Sequence, residues 1–226
     1  VTGRPMTVRP PGFPALIAVG DWIGLNPNST LVLINVASAL VVVVCTYIIL
    51  SYATPRRTVV VLGTAFVAVS PSLLWQYSMA WSEPPFVAVE ALAIVAALMA
   101  KSAWKYPILS ALLAALFFVR YVGPVFSAAI IFVSLITDIR RRGGLRAITF
   151  NSLVLVASLI PAWWWLLRNK RIDGTFTGTR QAGGGTLLDS AKTLPGTLGT
   201  WLIGKPFDTI VYETWSSYPE LAKIAA

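Results

Sequence analysis

Three groups of residues at the boundaries of apolar segments have the chemistry to bind an anion. Arg9 precedes two prolines, Glu83 opens an apolar segment, and Arg120 with Tyr121 interrupts another. Arginine presents a fixed fork of donors that fits phosphate oxygens, and it stays charged in a partly dry site. A carboxylate beside such arginines can pair with them, act as a general base or bind a metal. These residue types predict a site for an anionic headgroup.

Each of these residues also has a simpler interpretation, and the sequence leaves both open. Arg168, Lys170 and Arg171 follow an apolar segment and can extend to phospholipid phosphates. Glu83 in the first turn of a helix is stabilised by the helix dipole, whatever else it does. Arg120 is harder to explain in this way, because a charge inside an apolar stretch usually has a partner or a function.

The remaining acidic and aromatic residues carry weaker signals. Glu90 lies two helical turns after Glu83, and a buried Glu90 must be paired or protonated. Asp21 and Asp138 are predicted to have surface roles only. The tryptophans at 163–165 are typical of an aromatic belt at a membrane boundary, with sugar stacking as the alternative.

The composition is that of a polytopic membrane protein. Of 226 residues, 56% are hydrophobic and 12% are charged, whereas soluble domains carry roughly 25% charged residues. The net charge of +9 does not indicate nucleic-acid binding, because the cations lie at the ends of apolar segments without interleaved aromatic residues. The absence of histidine excludes His-based catalysis and His-ligated metal, and a single cysteine excludes an intrachain disulfide.

The apolar segments predict a helical bundle with broken helices. Their ranges are 31–53, 58–80 with a kink or break at Pro71, 83–100, the shorter segments 107–119 and 122–137 on either side of Arg120, and 147–167. About 20 residues are needed to cross a bilayer, so the segment 107–119 must end within protein or a watery cavity. Residues 14–25 are predicted to form an interfacial or re-entrant helix.

The basic residues predict the orientation. The loops 54–57, 101–105 and 138–146 hold eight lysines and arginines, whereas the loops 81–85 and 120–122 hold one. The first set is therefore predicted to be cytoplasmic. Arg9 and the basic cluster 168–171 then lie on the outer side. Lysine and arginine are disfavoured there, because they normally lie on the cytoplasmic side, which suggests that these residues have a ligand.

The predicted fold class is all-α, a polytopic transmembrane helical bundle with short or broken helices and an extracytoplasmic loop region. Residues 1–30 are predicted to be the end of a first extracytoplasmic loop with an interfacial helix. Residues 31–171 form the transmembrane bundle. Residues 172–226, rich in glycine and threonine up to residue 200, form an extracytoplasmic segment.

Four segments, in order, resemble polytopic glycosyltransferases of the GT-C type. The segment from Arg9 is similar to PPGYPLL, residues 70–86 to SPSLLFYS followed by SEPLF, residues 118–123 to LTRYEG, and residues 167–180 to RNY followed by FGTFTGSR. The resemblance is to the branch of dolichyl-phosphate-mannose protein mannosyltransferases and aminoarabinose transferases. One departure is Val122, where the family often has an acidic residue.

The resemblance implies a glycosyltransferase of the cell envelope, in a bacterial or archaeal plasma membrane with its site facing outward. It would move a hexosyl or pentosyl group from a polyprenyl-phosphate donor by direct displacement at the anomeric carbon. Glu83 would lie near the reacting atoms. The residues implied to contact the donor phosphate are Arg9, Arg120, Tyr121, Arg168 and Arg180.

The resemblance leaves several points open. The family's acidic base and first transmembrane helix precede the proline-rich segment, so both are expected upstream of Val1, and this chain alone is expected to lack that base. No residue is assigned as a metal ligand, no cofactor is assigned, and a divalent metal requirement is left open. The partners are the lipid-linked sugar and membrane lipids, while the sugar and the acceptor (protein, lipid or polysaccharide) are not identified.

Two other functions remain. A transporter or flippase for an anionic lipid or polymer would use the same cations and the same broken helices. It should place polar groups deep in several spans, and here the deep positions are almost wholly apolar apart from Glu90, which favours an enzyme. A non-catalytic membrane scaffold fits the composition but leaves Arg120 and Glu83 unexplained.

Overall fold

The computed structural model describes residue 7, residues 9–98 and residues 104–178, apart from the side chains of residues 141 and 142. This part of the chain is 84% helical and contains no strand, which confirms the all-α prediction. It lies within a compact unit of residues 1–180, and a second unit comprises residues 181–226. The described helices are α1 (Gly12–Trp22), α2 (Pro27–Ala53), α3 (Arg57–Ala68), α4 (Pro71–Ser78), α5 (Glu83–Leu98), α6 (Lys105–Val119), α7 (Gly123–Arg142) and α8 (Gly144–Asp173).

Three of the described helices are long and apolar enough to cross a membrane. They are α2, α8 and the first 18 residues of α7. The helices α3 and α4 would add a fourth span, and they are bent by 43° at the break between them. Pro71 begins α4, because proline fits the first turn of a helix but cannot continue one. The predicted break at Pro71 is confirmed.

Helix α6 is short and central. Its 15 residues pack against α5, α7 and α8. Leu109, Leu113 and Leu116 follow one another at helical spacing and are fully or almost fully buried. Removing such a leucine side chain costs about 2–5 kcal/mol in a well-packed core. The body of this segment is enclosed by the neighbouring helices, and its end at Arg120 is about one third exposed.

The predicted basic loop at 138–146 is wrong, because the chain is helical on both sides of a single residue. Helix α7 continues to Arg142, and α8 begins at Gly144. The turn between them is Gly143, whose φ of 86° favours glycine. Arginine is a good helix former, so a run of cations does not by itself end a helix.

The prediction of a surface role for Asp138 is also wrong. Asp138 is completely buried, and its Oδ1 accepts a hydrogen bond from Lys105 Nζ at 2.8 Å. Its Oδ2 accepts from Asn151 Nδ2 at 3.0 Å and from the Tyr106 hydroxyl at 3.2 Å. This ion pair, called the buried pair below, joins α6 to α7. Asp21 is exposed, as predicted.

Candidate functional site

A cleft of about 700 Å³ lies at the end of α6 that is farther from the buried pair. It forms where the start of α1, the connection between α4 and α5, and the break between α6 and α7 come together. Its lining residues are Arg9, Pro10, Phe13, Pro14, Ile17, Ala80, Trp81, Ser82, Glu83, Val119, Arg120, Tyr121 and Val122. Four of the six predicted site residues, Arg9, Glu83, Arg120 and Tyr121, therefore line one cleft.

Glu83 and Arg120 form an ion pair in this cleft, called the cleft pair below. Glu83 is the first residue of α5, and Arg120 ends α6 in an extended conformation. About one third of each side chain is exposed (32% for Glu83 and 35% for Arg120). The exposed parts leave donors of the guanidinium and lone pairs of the carboxylate accessible to a ligand.

Arg9 is the second cation of the cleft. Its side chain is exposed, and no carboxylate of the described residues lies within 4 Å of its guanidinium. Because Glu83 neutralises only one of the two arginines, the charged groups among the described residues that line the cleft sum to +1. A monoanion such as a phosphodiester would neutralise this charge.

Apolar side chains form most of the remaining lining. Phe13, Ile17, Val119 and Val122 lie beside the charged residues. Trp81 is 38% exposed and packs edge-on against Trp75, with ring centroids 5.2 Å apart. The cleft thus offers cations next to an apolar surface, which suits a ligand with an anionic group and a hydrocarbon or sugar part.

The connection between α4 and α5 is held from outside the cleft by Asn35 of α2. Its Nδ2 donates to the carbonyl oxygens of Tyr77 at 2.7 Å and Met79 at 3.0 Å. These bonds satisfy backbone acceptors that the helix break leaves without helical partners. Sequence reasoning missed Asn35, although a lone amide inside the apolar run 31–53 was a usable signal.

The break between α6 and α7 is compact because of Gly123. The N–H of Gly123 donates to the carbonyl of Arg120 at 2.9 Å. A Cβ at this position would lie 2.6 Å from the Phe117 nitrogen, closer than real side chains approach backbone. The glycine therefore lets α7 start against the last turn of α6, which keeps Arg120 and Tyr121 at the cleft.

A fifth predicted site residue, Arg168, is not among the residues that line the cleft. The Arg168 guanidinium lies 4.4 Å from the ring centroid of Trp165, and its Nη1 donates to Asn169 Oδ1 at 3.2 Å. Arg180 lies outside the described residues. Trp163 and Trp164 are 58% and 65% exposed, as an aromatic belt requires, whereas Trp165 donates to the Tyr121 hydroxyl.

Acidic residues elsewhere add little to this site. Glu90 is half-buried and has no ion pair with a described residue. In the part of the chain that the structure describes, no group of three or more histidine, cysteine, aspartate or glutamate residues could hold a metal ion. The charged groups of the described residues that line the cleft are two guanidinium groups and one carboxylate.

Comparisons of this chain with protein-family models, with curated proteins and with solved structures find no match.

Proposed function

We propose that this chain belongs to an integral membrane glycosyltransferase, which moves a sugar from a polyprenyl-phosphate donor to an acceptor on the outer face of the membrane. The observation that carries the proposal is the cleft, where Arg9 and the cleft pair lie beside apolar residues. The order of the resembling segments supports the same function.

The donor's parts match the lining of the cleft. A sugar phosphodiester carries one negative charge, equal and opposite to the sum of the charged groups in the cleft. Arg9 and Arg120 supply donors for the phosphate oxygens. Phe13, Ile17, Val119 and Val122 provide apolar contact for the first isoprene units, and Trp81 provides a flat aromatic surface for the sugar.

In the proposed reaction, an acceptor oxygen attacks the anomeric carbon while the bond from that carbon to the phosphate oxygen breaks. Polyprenyl phosphate leaves with the bonding electrons, and the arginines stabilise the charge that develops on it. The acceptor's proton passes to a carboxylate. Within the cleft this carboxylate is Glu83. When Arg120 binds the donor phosphate, Glu83 loses its ion-pair partner and becomes available to accept the proton.

The test compares an anionic lipid with its neutral counterpart. The protein in lipid nanodiscs is titrated with a short-chain polyprenyl phosphate and with the corresponding polyprenol. The wild type should bind the phosphate at least about tenfold more tightly, because a charge-assisted hydrogen bond contributes about 1.5–3 kcal/mol. Arg120→Ala should abolish this preference.

Folding is measured in parallel, since the cleft pair is partly exposed. Arg120→Ala should lower the free energy of unfolding by no more than about 1 kcal/mol. Equal binding of phosphate and alcohol by the wild type contradicts the proposal. The proposal is also contradicted if Arg120→Ala binds less phosphate only because a smaller fraction of the protein is folded. Transfer is then assayed with polyprenyl-phosphate mannose labelled in the sugar, using membranes of the source organism as acceptor.

A transporter or flippase for an anionic lipid is the second candidate, because the spans contain more buried polar residues than the sequence suggested. The uncharged ones are Thr30, Asn35, Ser38, Ser127, Ser134, Asn151, Ser158 and Asn169, and the charged one is Asp138. None of them lines the cleft, and the charge of Asp138 is balanced by Lys105, so the enzyme remains the better supported function. Transbilayer movement of a fluorescent anionic lipid in vesicles, without sugar transfer, would favour the transporter.

A further inference from the structure

The segment that carries Arg9 is held at two points, one before and one after the arginine. Thr7 is buried, although it precedes the first described helix. Gly12 begins α1. Arg9, Pro10 and Pro11 lie between these two points, and the segment from Thr7 to Gly12 is called the strap below.

The first attachment is a hydrogen-bond network centred on Tyr121. The Tyr121 hydroxyl donates to the carbonyl of Thr7 at 2.9 Å. The same hydroxyl accepts from Trp165 Nε1 and from Asn169 Nδ2, both at 3.1 Å. These three bonds use its one donor and both of its lone pairs. The hydroxyl is therefore committed to the strap and α8.

Asn169 extends this network and is completely buried. Its Nδ2 also lies within hydrogen-bond distance of the Thr7 carbonyl, at 3.3 Å, and of the Phe176 carbonyl, at 3.2 Å. Its Oδ1 accepts from Arg168. Through this one side chain, α8 binds both the strap and the turn that follows α8.

The second attachment is a direct backbone contact. A Cβ on Gly12 would lie 2.6 Å from the carbonyl oxygen of Phe118 and 2.8 Å from its carbonyl carbon. Only a residue without a side chain allows the first turn of α1 to lie this close to the last turn of α6. Gly12 thus fixes the end of the strap beside the residue that precedes Val119 in the cleft wall.

Arg9, Pro10 and Pro11, which lie between the attachments, have little conformational freedom. Proline fixes φ near −65°, and it also restricts the residue before it, which applies to Pro10, Pro11 and Arg9. A guanidinium held in this way loses less entropy when it binds an anion.

We infer that the strap is a preorganised anion-binding element, in which Tyr121 and Asn169 act as positioning residues for Arg9. This inference rests on the proposed function, because it assigns Arg9 to the donor phosphate. It gives Tyr121 and Arg168 a different role from direct phosphate contact: Tyr121 holds the strap through its hydroxyl, and Arg168 orients Asn169.

The test uses Tyr121→Phe, which keeps the ring that lines the cleft and removes only the hydroxyl. Amide hydrogen exchange of the peptide covering residues 7–13 should become at least about tenfold faster, because the strap loses its bond at Thr7. Peptides from α6 should be unchanged. Tyr52→Phe is the matched control, since Tyr52 is 55% exposed and lies outside the cleft.

Binding of the short-chain polyprenyl phosphate separates positioning from general stability. Tyr121→Phe should weaken binding by about fivefold to tenfold, the equivalent of one hydrogen bond. In an Arg9→Ala background it should cause no further loss, because both changes remove the same contact. Asn169→Leu should behave like Tyr121→Phe, and it checks the network at a second residue.

Each result decides a separate point. Unchanged exchange at residues 7–13 in both variants would overturn the attachment of the strap. Faster exchange with unchanged binding, or full additivity with Arg9→Ala, would overturn the positioning role. If the wild type binds polyprenol as well as it binds the phosphate, the proposed function fails and the anion-binding role of the strap fails with it. The exchange experiment would then still establish whether the strap is held.

Discussion

The two ion pairs at opposite ends of α6 have the same chemistry and different surroundings. In the buried pair, Lys105 and Asp138 are completely buried, and Asn151 and Tyr106 donate further hydrogen bonds to the carboxylate. In the cleft pair, Glu83 and Arg120 are each about one third exposed. Arg9, which forms no ion pair with a described residue, lies in the same cleft. The two charges of the buried pair balance each other, whereas the described residues that line the cleft carry one more positive charge than negative charges.

This difference separates a structural ion pair from one that is available to a ligand. Breaking a buried pair leaves an uncompensated charge away from water and is strongly destabilising. A partly exposed pair contributes little to stability, since water solvates each partner when the other is absent. Arg120 of the cleft pair can therefore leave Glu83 and bind an anion with little loss of stability. The same exchange in the buried pair would strongly destabilise the protein.

The largest effect on stability is expected when the buried pair is broken. Lys105→Met should destabilise the protein by about 3–5 kcal/mol, because Asp138 then lacks its counter-charge. Unfolding is followed with a thiol-reactive dye, for which Cys45 is a suitable reporter: it is the chain's single cysteine and only 2% exposed. The double variant Lys105→Met/Asp138→Leu is the control and should recover most of the loss. A stable single variant would contradict a structural role for this pair.

A smaller effect is expected at the cleft end, where backbone contact rather than charge fixes the geometry. Gly12→Ala should cost about 1–3 kcal/mol, because the new methyl group must displace α1 from α6. Binding of the short-chain polyprenyl phosphate should fall at least as much as it does in Tyr121→Phe. Gly144→Ala is the matched control, as its added Cβ would meet nothing within 4 Å. Equal effects of the two substitutions would show that the contact with Phe118 is unimportant.

The smallest effect on stability is expected for Glu83→Gln, which changes the charge and keeps the shape. The free energy of unfolding should change by less than about 1 kcal/mol. Polyprenyl phosphate should bind up to about fivefold more tightly, since the charge of the cleft rises from +1 to +2. Sugar transfer should nevertheless fall if Glu83 accepts the acceptor's proton. Unchanged turnover would remove Glu83 from the reaction and leave it only the pairing with Arg120.

Local signals in the sequence predicted the elements well. Pro71 predicted the break between α3 and α4, and Arg120 predicted the interruption between α6 and α7. The length of the segment at 107–119 predicted a short helix that ends within protein or a watery cavity. The loops were predicted to alternate between the two sides of the membrane, and this alternation placed Arg9, Glu83 and Arg120 on the same side. Their role toward a phosphate stays a prediction.

Contacts between residues far apart in the sequence could not be predicted in the same way. Asp138 lies 33 residues from Lys105, and nothing near it shows that it is buried. Tyr121 contacts Thr7 across 114 residues, a contact that neither its neighbours in the sequence nor the resemblance indicated, and the resemblance assigned Tyr121 to the donor phosphate instead. The helical run through Arg140 was missed because clustered cations were interpreted as a loop, although arginine itself favours helix.

The shortness of α6 has a consequence for the bilayer around the protein. Fifteen residues span about 22 Å at 1.5 Å per residue, roughly 8 Å less than the hydrocarbon thickness of a typical membrane. Under the proposed function, with α6 crossing the bilayer, Arg120 at the end of this helix would lie below the level of the surrounding headgroups unless the bilayer thins there. We then expect binding of the polyprenyl phosphate to depend on the acyl-chain length of the surrounding lipid. A lipid-borne phosphate would reach the cleft by lateral diffusion within its own leaflet.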